Sequence, residues 1–195
     1  MLRRLITLSV LLLVAFAPAA LAANVKIRVE GKTTTIFGAA QPRVTADNAL
    51  QALDAASTAG EFHYGMTTSS FGDYVNQIGK YPASDSSGWV FKVNGVSPPV
   101  GADKVTLKDG DTVLWYYATF GPAGGPPTLE LQRLPANCYV VQSVTDAGVR
   151  TRAASATLLA GGKRFRTTNG RACVGKHVGL VRATAPGAVR SNAQP

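Results

Sequence analysis

Ser87-Gly88-Trp89-Val90-Phe91-Lys92-Val93-Asn94-Gly95, a short proline-containing link, and then Val105-Thr106-Leu107-Lys108-Asp109-Gly110-Asp111-Thr112-Val113-Leu114-Trp115-Tyr116-Tyr117 make up the stretch that decides the fold. Trp89, Phe91 and Val93 alternate with Val90 and Lys92, and Val113, Trp115 and Tyr117 alternate with Thr112, Leu114 and Tyr116. A period of two marks a strand, and the Asn-Gly and Asp-Gly pairs favour tight turns with positive φ. Ser87 to Phe120 therefore predicts an antiparallel or mixed sheet with one aromatic face. Nothing in it is a catalytic signature.

Toward the N-terminus, Val25, Ile27 and Val29 alternate with Lys26, Arg28 and Glu30, which reads as a half-buried strand that Gly31-Lys32 turns back into Thr33 to Phe37. Thr45 to Ala56 is the best helix, with Thr45 as its cap, Asp47 in the first turn, a thin stripe of Ala46, Leu50 and Leu53, and Gly60 as its stop. Glu61 to Ser86 has no clear period and exceeds an ordinary connection in length. It is either a functional loop or a strand or short helix that the pattern does not place. Toward the C-terminus, Ser97 to Asp103 is a rigid crossover into a strand at Lys104 to Leu107, and the next strand runs from Thr112 to Thr119.

Gly121-Pro122-Ala123-Gly124-Gly125-Pro126-Pro127 interrupts any ladder, and the charge changes there. Residues 23–121 hold 8 basic and 9 acidic side chains, a net of −1, whereas residues 122–195 hold 10 basic and 2 acidic, a net of +8. This pattern predicts two units with different surfaces. In the second unit, strands are expected at Leu129 to Leu134, Cys138 to Val144, Ala156 to Ala160, Lys163 to Thr167, Arg171 to Val174 and Val178 to Ala183, the short runs of a small sandwich.

At the other end, Arg3 and Arg4, the apolar run Leu5 to Phe16 and Ala20-Leu21-Ala22 form a secretory signal peptide over residues 1–22. Export allows Cys138 and Cys173 to pair, closing a loop whose chain-entropy stabilisation is about 4 kcal/mol. Two cysteines with only His63 and His177 are a poor zinc set. No later segment reaches the length of an apolar membrane span, so none is expected after signal cleavage. The expected location is secreted or associated with the cell envelope.

Trp89, the Asn94-Gly95 turn, Gly101, Leu107-x-x-Gly110-Asp111, Trp115 and Tyr117 together resemble the small C-terminal β domain of vertebrate cobalamin carriers, which also occurs in many secreted bacterial proteins. The resemblance covers Asn24 to Gly121 and implies a β-grasp-like unit whose aromatics contact a corrin face in the carriers. Phe165 to Ala172, Leu180 to Ala183 and Pro186 to Asn192 resemble the immunoglobulin-like or prealbumin-like modules of bacterial surface proteins. There a further strand normally follows the Pro-Gly, so the stop at Pro195 predicts a short or open edge. The expected fold class is mainly β with one helix (α+β), a β-grasp-like domain followed by a small disulfide-containing β sandwich. The expected division is a domain at 24–121, a linker at 122–127 and a basic domain at 128–195.

Catalytic readings are thin. Ser69, Ser70 and Ser84 to Ser87 with His63 and Asp85 lack a Gly-x-Ser-x-Gly elbow, a disulfide would consume the Cys173 thiol beside His177, and Asp109 and Asp111 flank a turn. Phosphate loops and dinucleotide fingerprints are absent, and an exported protein with few strand aromatics in its basic unit is a poor nucleic-acid binder. The expectation is a non-enzymatic binding or adaptor module. Its ligand contacts are placed at Phe62, Tyr64, Tyr74, Tyr81, Trp89, Asn94 and Tyr116, and its polyanion contacts at Arg164, Arg166, Arg171 and Lys176. Partners are a glycan, a peptide, an envelope polymer or a small planar ligand, with a cobalamin-like cofactor ranked after them. Structural surface domain and secreted hydrolase are the alternatives; cofactor and oligomeric state are left open.

Overall fold

A computed structural model of the protein describes residues 22–69, 72–122 and 124–195, so the signal-peptide reading falls almost entirely outside the described residues, as does Ser70. The chain is mainly β with a single α-helix among the described residues. Strands β1 (Ala23–Glu30), β2 (Thr35–Phe37) and β3 (Arg43–Ala46) precede helix α1 (Ala49–Gly60). Then come β4 (Tyr64–Ser69), β5 (Gly72–Ile78), β6 (Tyr81–Pro82), β7 (Ser87–Val93) and β8 (Thr112–Thr119). Five of these form a mixed sheet ordered β2-β1-β8-β7, with β3 also on β1.

The aromatic strands pair as their alternation predicts: Trp89 lies opposite Tyr117, Phe91 opposite Trp115 and Val93 opposite Val113. β1 joins β8 in parallel, which makes the sheet mixed. Asn94 (φ 53°) and Gly95 (φ 88°) make the tight turn after β7, as the Asn-Gly preference for left-handed backbone requires.

Three expectations shift. Thr45 does not cap the helix, because it pairs with Asn24 in β3; Asn48 does so instead, its Oδ1 accepting from the Gln51 amide at 2.9 Å. The expected strand at Lys104 to Leu107 is a 3-10 turn at Ala102–Lys104 followed by a lone bridge from Thr106 to Asn48. The Glu61 to Ser86 segment holds the β4–β5–β6 sheet, and a register shift between Gly65 and Met66 breaks the alternation that would have announced it.

The last part of the chain contributes β9 (Thr128–Leu134), β10 (Cys138–Val144), β11 (Arg150–Arg152), β12 (Thr157–Ala160), β13 (Lys163–Arg166), β14 (Arg171–Cys173) and β15 (Arg182–Thr184). A four-stranded sheet of β9, β10, β11 and β14 and a three-stranded sheet of β12, β13 and β15 share one apolar core that includes Leu129, Tyr139, Val141, Leu158 and Val181. Cys138 and Cys173 lie opposite each other on β10 and β14 and form the expected disulfide. The expected strand at Val178 to Ala183 is reduced to Arg182–Thr184, and Val178 stands 90 % exposed.

The two faces of the five-stranded sheet are both buried, which corrects the half-buried reading of β1. On one face, Val25, Ile27, Val29, Trp89, Val113 and Trp115 pack with Ala49, Ala52, Leu53 and Ala56 of α1. On the other, Arg28, Glu30, Lys92 and Tyr116 are closed off by the later strands. Glu30 is completely buried and receives three arginines: Arg28 at 3.2 Å, Arg182 at 2.5 Å and Arg190 at 3.0 Å. The Lys92 ammonium donates to the carbonyls of Val144 (3.1 Å) and Thr145 (3.0 Å) and meets Asp146 at 3.1 Å. Between these polar anchors, Leu114, Tyr116 and Ala118 pack with Val90 and Val189.

Candidate functional site

Beneath the β4–β5 hairpin, the aromatic face of the sheet is left partly open. Phe91 and Trp115, cross-strand neighbours, stack with ring centroids 5.1 Å apart, and Trp89 sets its ring edge-on to Tyr117 at 5.6 Å. Both indole N–H groups are satisfied by backbone: Trp115 donates to the Ala49 carbonyl at 3.1 Å and Trp89 to the Tyr81 carbonyl at 2.8 Å. These bonds fix the ring orientations against the helix and β6.

Over the rings lies a pocket of about 100 Å³ lined by Trp89, Phe91, Trp115, Leu50, Met66 and Tyr74, with Asp73 and Asp103 also contributing. Tyr74 and Met66 are 52 % and 41 % exposed, so the hairpin side is accessible while the tryptophans are buried. The pocket is small enough to take a ring edge or one side chain. The carboxylates differ in their partners: Asp103 pairs with Lys104 at 2.8 Å, whose hydrogen bond holds the Asp103 pKa below its usual value, and Asp73 accepts from Thr68 at 2.7 Å. The site therefore offers an apolar floor with acceptor oxygens beside it.

Of the residues expected to contact a ligand, the structure brings Tyr74 and Trp89 together here. Phe62 packs on Phe37 at 6.1 Å, and Tyr64 donates to Asp54 at 3.1 Å. Tyr81 bonds Thr33 (2.8 Å) and Thr34 (3.2 Å), which lowers its pKa. Asn94 faces a different cleft, its amide donating to Asp111 at 2.7 Å. Tyr116 is 1 % exposed in the seam between the sheets, where burial and then Asp146 push its phenol pKa up, so it has no open face for a ligand. Arg164 and Arg166 share a groove beside Thr157 and Pro186, whereas Arg171 lies on β14 and Lys176 beyond it.

Phe91, Trp115, Leu50, Met66, Asp73 and Asp103 line the pocket as well and are not among the ligand contacts expected from the sequence. Cross-strand pairing was the available signal for the stacked pair; the hairpin residues gave none, because the register shift hides their strands. Among the described residues, no three or more His, Cys, Asp or Glu side chains gather as a metal site. No described helix is long and apolar enough to cross a membrane.

Residues 44–119 match a domain of unknown function, DUF4430. The DUF4430 segment runs from β3 to the end of β8 and contains every residue that lines the aromatic pocket. It leaves out β1 and all strands of the later sheets. No curated protein matches the chain. Among solved structures, the chain is similar to a Ruminococcus gnavus protein described as a candidate for metal binding. Identity is 13 %, covering 51 % of this chain and 99 % of that one, with a TM-score of 0.38.

Proposed function

We propose that the protein is a secreted, non-catalytic binding module whose ligand docks at the aromatic pocket under the β4–β5 hairpin. The observation that carries this reading is the half-exposed Tyr74 and Met66 standing over a floor of Trp89, Phe91 and Trp115, the two indoles fixed by hydrogen bonds and Phe91 stacked on Trp115. A rigid ring floor costs little entropy on binding. With Asp73 and Asp103 supplying acceptors, the ligand class that fits best is a glycan, whose apolar ring face stacks on Tyr74 while its hydroxyls donate to the carboxylates. A whole corrin is far larger than a pocket of about 100 Å³ and would rest on its rim only.

In this reading residues 24–121 form the β-grasp-like unit, 122–127 the linker, and 128–195 an immunoglobulin-like or prealbumin-like sandwich. Arg164, Arg166, Arg171 and Lys176 of the sandwich hold the protein near an anionic envelope polymer. Polyanion binding through these exposed side chains weakens steeply as salt rises, whereas the aromatic contact survives moderate salt. A second reading, a structural domain without a ligand, is favoured by the burial of both tryptophans and the satisfaction of both indole groups.

Tryptophan fluorescence of the protein lacking residues 1–22, titrated with soluble cell-wall glycan fragments and with cobalamin at two salt concentrations, separates these readings. Saturable quenching by a glycan that Tyr74→Ala abolishes supports the module. No saturable response to either ligand favours the structural domain.

A further inference from the structure

A second cavity, remote in character from the aromatic pocket, lies where the back face of the five-stranded sheet meets β9 and β10. At about 380 Å³ it falls in the range of small-molecule sites, about 300–1,000 Å³. Arg28, Lys92, Arg150, Glu130, Gln132 and Gln142 are among its lining residues.

The charges around this cleft do not balance. Arg28, Arg182 and Arg190 share the single carboxylate of Glu30. Arg150 grips Glu130 with two bonds of 2.9 and 3.1 Å, and Lys92 meets Asp146. Of these groups Arg28, Lys92, Arg150 and Glu130 line the cleft itself, three cations against one carboxylate, an excess of two positive charges with Arg28 and Lys92 buried and the Arg150–Glu130 pair partly exposed. Arg28 shows the consequence: burial first, and the like charge of Arg182 among the further causes, bring its pKa down to about 10 despite Glu30. Its Nε is the one buried side-chain nitrogen or oxygen among the described residues without a hydrogen-bond partner. A buried donor left without a partner is destabilising, more so on a charged group, and a negative charge in the cleft that Arg28 lines would offset part of that cost by Coulomb attraction.

The wall opposite Arg28 is built for a polar ligand. On β9 and β10, Glu130 lies opposite Gln142 and Gln132 opposite Val140, while Leu129, Leu131, Tyr139 and Val141 point into the apolar core. Directly opposed residues share a face of the sheet. Arg152, opposite Gln142, and Arg171, opposite Val140, therefore extend the cleft-side face outward, and both are exposed. Positive charge runs from the outer strands to the buried guanidinium, with two glutamine amides between.

We propose that this cleft binds a small hydroxylated carboxylate of the sugar-acid class, its carboxylate drawn to the excess positive charge of Arg28, Lys92 and Arg150 and its hydroxyls to the amides of Gln132 and Gln142. An inorganic anion would satisfy the charge and leave the amide wall unmatched; a neutral sugar would do the reverse. The site is separate from the aromatic pocket and stands or falls independently of it.

Calorimetric titration of the protein lacking residues 1–22 with glucuronate, glucose and inorganic phosphate at low salt tests the assignment. The expected result is saturable glucuronate binding at least tenfold tighter than either of the others. Arg150→Gln, at a partly exposed position, and Gln142→Glu, which adds a carboxylate to the cleft, should each weaken it tenfold or more while thermal unfolding reports an intact fold. Tyr74→Ala should leave it unchanged. Glucuronate binding no tighter than glucose, phosphate binding tighter than glucuronate, or affinity unmoved by Arg150→Gln would each overturn the proposal.

Discussion

The two faces of the five-stranded sheet are made by the same strands and differ by one residue of register, yet they are buried by opposite means. On the aromatic face the side chains are apolar, and a helix with a stripe of alanines comes close enough to cover them. On the back face the side chains include Arg28, Glu30 and Lys92, and burial there depends on partners brought from far along the chain. Apolar burial is tolerant of small shifts, because the hydrophobic effect is non-directional. Charge burial is not, since each ion loses its hydration and recovers it only where geometry is met.

The largest test of this contrast is Glu30→Ala. It strands three arginines, one of them fully buried, and should cost about 3–5 kcal/mol in urea unfolding. The loss should persist at 1 M salt, because buried pairs are screened little. A loss below about 1 kcal/mol would mean that the arginines find water and that the seam is open in solution. On the aromatic side, Leu53→Ala should cost about 3 kcal/mol through the lost transfer energy and the cavity left under the helix. Asn48→Ala removes only the helix cap and should cost about 1 kcal/mol, read from the same unfolding curves. Tyr74→Ala should change stability by less than about 0.5 kcal/mol, its ring being half exposed, while removing ligand-dependent quenching. A large stability loss at Tyr74 would assign it to the core instead.

The sequence disclosed these features unevenly. The paired aromatic strands, the first hairpin and the disulfide were legible because alternation, turn residues and cysteine count are local signals, and Trp89, Phe91 and Trp115 fell where their parity put them. The helix start was displaced because Thr45 and Asn48 are both good caps, and only the pairing of Thr45 with Asn24 decides between them. Arg28 and Glu30 read as the open side of a half-buried strand because charge at alternate strand positions ordinarily faces solvent, and Lys92 alternates with the aromatics in the same way. Their burial rests on Arg182, Arg190, Val144 and Thr145, which no local pattern connects to them. The pocket was half legible for a related reason: Trp89 and Tyr74 belong to elements that meet only through the hairpin fold.

Glu30 and its arginines also order events in time. Arg182 and Arg190 follow Glu30 by 152 and 160 residues, so the carboxylate emerges from synthesis long before either partner exists. Ala193 closes a similar span, its amide donating to the Ala39 carbonyl at 2.7 Å. Contacts of such sequence separation form late, after the loop-closure entropy of the intervening chain has been met. The aromatic face can assemble from residues up to Thr119, whereas the seam must wait for almost the whole chain. A nascent chain halted before Arg182 would carry Glu30 in reach of only one of its three arginines, and such a product should be the form most readily cleared by proteases.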